Sequence, residues 1–269
     1  MADPKLDVHG NPVLPGIEEG DPVEAYRMPL MEHLIELRSR LIKALGAALV
    51  CCIVALFFSQ EIWNLLVQPM NDALETTGRG TMAMSTALEG FLTMVKVAGL
   101  AGLLAASPII FWQIWQFVAP GLYPHEKKPV LPMVIASTGL FATGITFGYL
   151  VIFRYTFPYL LEFADENVQA VLSIDAYLGL ATRLLLAFGL CFQLPVVVYF
   201  LARIGLIDAR DMIQGFRYSV VAIFVIAAII TPPDIFSQTL MAVPLLILYG
   251  IGIIIAWLVS TKKREPELT

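Results

Sequence analysis

The sequence predicts an all-α membrane protein. Of its 269 residues, 58% are hydrophobic and only 14% charged, with a mean hydropathy of +0.77. Soluble domains run nearer half apolar and a quarter charged. Several stretches reach the roughly 20 mostly apolar residues that a helix needs to cross a hydrocarbon core of about 30 Å. Backbone polar groups in lipid must be satisfied within the segment, so helices are the default. The alternating pattern of an outer-membrane barrel is absent.

The first 27 residues are polar, acidic and rich in Pro and Gly, without the apolar stretch of a signal peptide. They read as a flexible N-terminal tail. Residues 28–259 read as a six-helix transmembrane domain and 260–269 as a C-terminal tail. The apolar segments fall at 41–58, 91–111, 130–153, 177–201, 218–230 and 236–259. The fifth is too short for a hydrocarbon core, and Pro232-Pro233 ends it abruptly because neither proline donates a helical hydrogen bond. The last two helices are therefore expected to be short or irregular. The connections at 59–90 and 154–176 are long enough to carry structure. In the first, residues 61–68 suit a short amphipathic helix ending near Pro69.

Orientation follows from the basic residues. Of the 17 Lys and Arg, all but Arg79, Lys96, Arg154 and Arg183 flank one side of the six segments. Both termini are therefore expected in the cytoplasm. Lys96 and Arg183 lie within spans, where a long side chain reaches outward to the interface. Cys51, Cys52 and Cys191 lie in apolar segments with no metal or redox spacing, and read as small packing residues. No basic stripe suggests nucleic acid. No GxSxG, HExxH or P-loop pattern is present, and His9, His33 and His125 all lie outside the spans, so an enzyme is not expected. Neither is a metal or a cofactor.

Two interfacial stretches carry the candidate chemistry. In residues 28–41, Leu30, Leu34, Leu37 and Leu41 form one helical stripe, with Glu32, Glu36 and Arg40 on another face and Pro29 suited to a first turn. The stripe suggests an interfacial helix leading into the first span. Spacing alone also permits Glu36 simply to pair with Arg40. In residues 111–129, Trp112, Trp115 and Tyr123 crowd a membrane exit before a Pro/Gly turn presents Glu126. An aromatic belt and a solvated loop would explain that stretch plainly. Yet two carboxylates at one interface also fit a ligand with two guanidinium groups, each able to bind a carboxylate bidentately. Inside the spans, Gln193 needs a partner or a cavity, and helix–helix bonding is its plain role. Asp234 suits the N-cap of the last helix.

The stretches MPLMEHLIELRSRL (28–41), SPIIFWQIWQFVAPGLYPHEKK (107–128), LLAFGLCFQLPVVV (185–198) and TPPDIFSQTLMAVPLLILYGIGI (231–253) together resemble the TatC family of twin-arginine translocases. The resemblance implies a concave bundle whose cytoplasmic face recognises the twin-arginine signal peptides of folded cargo. It implies that Glu36 and Glu126 contact the arginines, with Arg38, Phe117, Pro120 and Tyr123 shaping the site. Pro69 and Asp234 match family positions. Single-span TatA and TatB-like subunits would be partners, with self-association in a receptor complex and transport driven by the proton-motive force. Gln193 stands where many members carry glutamate. It can bond a partner but cannot ionise, so it is retained as a contact and not as a proton carrier. The rival is a small-solute secondary transporter, which would show an ionisable residue or a broken helix near the bilayer midplane.

Overall fold

A computed structural model describes residues 22–78, 80–84, 86–118, 130–162, 171–232 and 234–264. The chain divides into two compact units, one ending at Lys43 and the other beginning at Ala44. The elements are α1 (Pro22–Phe57), α2 (Ser59–Thr77), β1 (Thr81–Ala83), α3 (Ala87–Val118) and α4 (Val130–Phe147). A π-helical turn (Gly148–Ile152) then leads into α5 (Phe153–Glu162), β2 (Val171–Ser173), α6 (Ile174–Cys191) and α7 (Leu194–Ile204). The chain closes with α8 (Ala209–Gln214), α9 (Phe216–Ile230) and α10 (Ile235–Arg264).

Among the described residues five helical stretches are long and apolar enough to cross a membrane: His33–Phe57, Leu88–Val118, Val130–Glu162, Ile174–Ile204 and Ile235–Val259. They fall on five of the six expected segments. The remaining segment is α9, whose 15 residues span about 23 Å at 1.5 Å each, short of a full crossing.

Three features differ from the sequence reading. The last helix is neither short nor irregular: α10 runs for 30 residues, its one internal breaker being Pro244. The helix that carries the leucine stripe runs straight on into the first span over 36 residues, but it begins inside the expected tail and places Pro29 well past its first turn. The fold is also not purely helical. β1 and β2 pair in parallel, Thr81 with Val171 through Ala83 with Ser173, so the two long connections are joined by backbone bonds.

The core of the second unit is aromatic. Phe153, Phe157 and Phe188 are fully buried together with Ile152, Leu178, Leu184 and Met241. In lipid, burial of apolar area drives association little, so close packing through small residues carries much of the load. A Cβ on Gly144 would lie 2.5 Å from the Phe188 carbonyl, and one on Gly102 only 2.4 Å from the Cα of Cys52. Glycine is what lets α4 meet α6 and α3 meet the end of α1.

The connections carry structure, as expected, but α2 does not stop at Pro69. It continues to Thr77 and turns Leu66, Val67, Met70 and Ala73 inward. A proline cannot bond the carbonyl four residues back. That carbonyl belongs to Leu65, and the Tyr149 hydroxyl donates to it at 2.6 Å. At the next residue, the Tyr177 hydroxyl donates to the Leu66 carbonyl at 2.5 Å. Side chains from two other spans therefore hold the helix through its proline.

Candidate functional site

Glu36 is formed by the simplest spacing rule in a helix. Residues four apart share a face, and the Arg40 guanidinium donates to Glu36 Oε1 from Nε at 2.8 Å and from Nη2 at 2.5 Å. The carboxylate stays part-exposed. Arg38 is exposed, as are Leu34, Leu37 and Leu41. The side chains of Leu30 and Glu32 lie outside the described residues.

The second stretch is described only to Val118, where α3 ends. Phe117 is half-buried near that end. Pro120, Tyr123, His125 and Glu126 lie outside the described residues. Trp112 is partly exposed, as an interfacial aromatic should be, but Trp115 does not belong to such a belt. It is buried against Met133, Val134 and Val196, and its ring meets Phe200 edge-on at 5.3 Å. Its indole N–H donates to Ser137 Oγ at 2.8 Å.

Ser137 also connects to Gln193. The Gln193 Nε2 donates to the Ser137 carbonyl at 3.0 Å and to the Gly189 carbonyl at 3.5 Å. Gln193 lies at a break in its span, between the end of α6 at Cys191 and the start of α7 at Leu194. The chain there tightens, with Gln193 N–H reaching Leu190 three residues back at 3.0 Å. Pro195, in the first turn of α7, enforces the break by withholding its N–H. A polar track Trp115–Ser137–Gln193 thus ties three helical stretches. Gln113 Oε1 and Thr138 Oγ1, from two of the same stretches, are buried without a partner. A broken helix is one of the two features the transporter reading would show; the other, an ionisable residue, is not at this break, where Gln193 is a neutral amide.

Asp234 caps α10. Its Oδ1 accepts from the Ser237 N–H at 2.7 Å, where the helix dipole favours an anion. Gln238 then donates to the Phe224 carbonyl at 3.0 Å, fastening α10 to α9. Asp234 Oδ2 and Ser237 Oγ are buried without partners. Pro69 lines a polar cavity of about 480 Å³ that also includes Asp72, Tyr149 and Arg154.

The structure adds residues that sequence reasoning passed over. Glu89 is a buried carboxylate that accepts from Ser173 Oγ at 2.9 Å and from Asp175 N–H at 3.0 Å. It fastens the start of α3 to the start of α6. Beside it, Lys96 pairs with Asp175 instead of reaching freely for the interface. A carboxylate in the first turn of α3 was a visible signal, but its partners were not.

Comparison with known proteins follows the same line. The family described as "Sec-independent protein translocase protein (TatC)" matches residues 32–244. The Sec-independent protein translocase protein TatC of Desulforapulum autotrophicum is 41% identical over 245 residues, 91% of this chain and 90% of that protein. The protein of the same name from Escherichia coli K12 is 35% identical over 239 residues, 89% of this chain and 92% of its own. A crystal structure of the twin arginine translocase receptor TatC is similar with a TM-score of 0.75 at 34% identity, covering 85% of this chain and 99% of that one.

Proposed function

The chain belongs to the TatC family of Sec-independent protein translocases, and from that premise we propose that it is the receptor for twin-arginine signal peptides of folded cargo. It is a multi-pass membrane protein and a core subunit of the twin-arginine translocase. In the proposed arrangement both termini are cytoplasmic, α9 supplies a sixth crossing, and the membrane is the cytoplasmic membrane of a bacterium or archaeon. TatA and TatB-like single-span subunits assemble on it, copies of the chain associate in the receptor complex, and the proton-motive force drives transport. The chain itself catalyses no reaction.

Glu36 and Glu126 are the proposed contacts to the two arginines, with Arg38, Phe117, Pro120 and Tyr123 shaping the site. The observation that supports this most directly is the Arg40 contact. The Glu36 carboxylate already takes a guanidinium through two N–H groups, at 2.8 and 2.5 Å, while remaining part-exposed. Lysine offers a point charge where arginine offers a fork, which accounts for a preference between them. Pro69, Gln193 and Asp234 are assigned structural or subunit-contact roles.

The test is binding of a fluorescent twin-arginine signal peptide to the purified chain in detergent, beside a twin-lysine peptide. Glu36→Ala and Glu126→Ala should each weaken the arginine peptide by roughly tenfold or more, since a charge-assisted hydrogen bond contributes about 1.5–3 kcal/mol. Equal binding of the two peptides, unaffected by either substitution, would remove both carboxylates from the site.

A further inference from the structure

An apolar groove runs between α4, α7 and α10, with a volume of about 410 Å³. Pro132, Ala136, Leu140, Val196 and Ile255 are among its walls, and its polar lining is confined to Tyr199 and Arg203. Arg203 is exposed in the last turn of α7, and its Nη1 donates to the Tyr199 hydroxyl at 3.5 Å. It forms no salt bridge to a carboxylate among the described residues. The charged end of the groove is thus where α4 starts and α7 ends, and the apolar part runs inward along both.

From this layout we infer that the groove is a binding site for an anionic membrane phospholipid, with an acyl chain against the apolar walls and the phosphate on Arg203. A guanidinium with unused N–H groups matches a phosphate in both geometry and charge. Basic positions between spanning helices at the headgroup level are where anionic lipids are held. The walls supply no carboxylate to receive a cationic segment, and no polar group deep in the groove to receive a soluble anion.

The test uses the purified full chain in detergent with phosphatidylglycerol carrying a photoactivatable acyl chain, compared with phosphatidylcholine carrying the same chain. Labelling should favour phosphatidylglycerol by about tenfold, as expected for one charge-assisted contact, and should map to α4 and α7. Arg203→Gln should abolish that preference and Arg203→Lys should keep most of it. Ala136→Phe, which fills the groove and leaves the charge, should reduce labelling by both lipids. Arg210→Gln, an exposed cation that does not line the groove, should change nothing. Thermal unfolding of each variant separates a lost site from a lost fold, and Ala136→Phe decides the matter if Arg203→Gln unfolds early. Equal labelling by the two lipids, labels outside α4 and α7, or indifference to Arg203→Gln would overturn the proposal. Displacement by inorganic phosphate would assign the site to a soluble anion. In native membranes, crosslinks from position 136 to a protein in place of lipid would assign it to a partner helix.

Discussion

Glu36, Trp115 and Gln193 show how much one side chain's role depends on the reach of its partner. Glu36 and Arg40 are four residues apart on one helix, and Asp234 caps an N–H three residues on; both contacts were legible in the sequence. Gln193 was legible as a group needing a partner, but the partner, Ser137, lies 56 residues away. Trp115 looks interfacial in the sequence because aromatics at a membrane exit usually are. Its bond to Ser137, 22 residues on, depends on how α3 and α4 pack and has no local signature. Trp115→Phe should therefore destabilise the chain while leaving the ring packing in place. Bonds between membrane helices contribute on average ~0.6 and at most ~1.7 kcal/mol, so the thermal midpoint in detergent should fall by a few degrees. The double variant with Ser137→Ala should fall no further, because removing both partners leaves no orphaned hydroxyl. Additive losses would mean that the bond itself contributes nothing.

At the scale of elements, a proline is a weaker stop than its missing N–H suggests. Pro69 suggested the end of a helix, yet α2 passes through it because Tyr149 satisfies the Leu65 carbonyl that proline leaves free. The same helix survives two losses differently. Tyr149→Phe should destabilise by about 1 kcal/mol, the net contribution of one hydrogen bond. In a Pro69→Ala background residue 69 regains its N–H and can bond Leu65 itself, so Tyr149→Phe should cost much less there. A double-mutant cycle in urea or heat reads the difference directly, and equal costs in both backgrounds would refute the compensation. Gly102 defines a stricter tolerance. Its missing Cβ lies where the Cys52 backbone would be struck at 2.4 Å, so Gly102→Val should cost about 1–3 kcal/mol through overpacking. Gly46 and Gly250, with open space around them, should accept alanine without loss. Thermal unfolding of the three variants side by side checks the ranking.

The whole molecule is set by the mismatch between its helices and the bilayer. The sequence made the membrane class, five long helices and the brevity of α9 legible, because each follows from runs of apolar residues. It hid the length of α10 and the strand pairing. The meeting of β1 with β2 is decided by contacts across the fold. With α9 about 23 Å long beside neighbours of 25 residues or more, one side of the protein suits a thinner bilayer than the rest. Reconstitution in phosphatidylcholines of increasing acyl length should therefore give a stability optimum at short chains. Extending α9 by four leucines after Ile226 should move that optimum to longer chains. An optimum that ignores the insertion would place the mismatch elsewhere.

The strand pair and the Glu89 contacts also have a history in time. Ser173 and Asp175, which close on Glu89, are 84 and 86 residues further along the chain. A ribosome has finished α3, α4 and α5 before either exists. During synthesis Glu89 therefore lacks its two contacts from the start of α6, and β1 lacks its partner strand. Arrival of the α6 segment both inserts a span and fastens the start of α3. The order of synthesis is thus written into the latch: a nascent chain halted before residue 171 has α3, α4 and α5 but neither the strand that pairs with β1 nor the residues that close on Glu89.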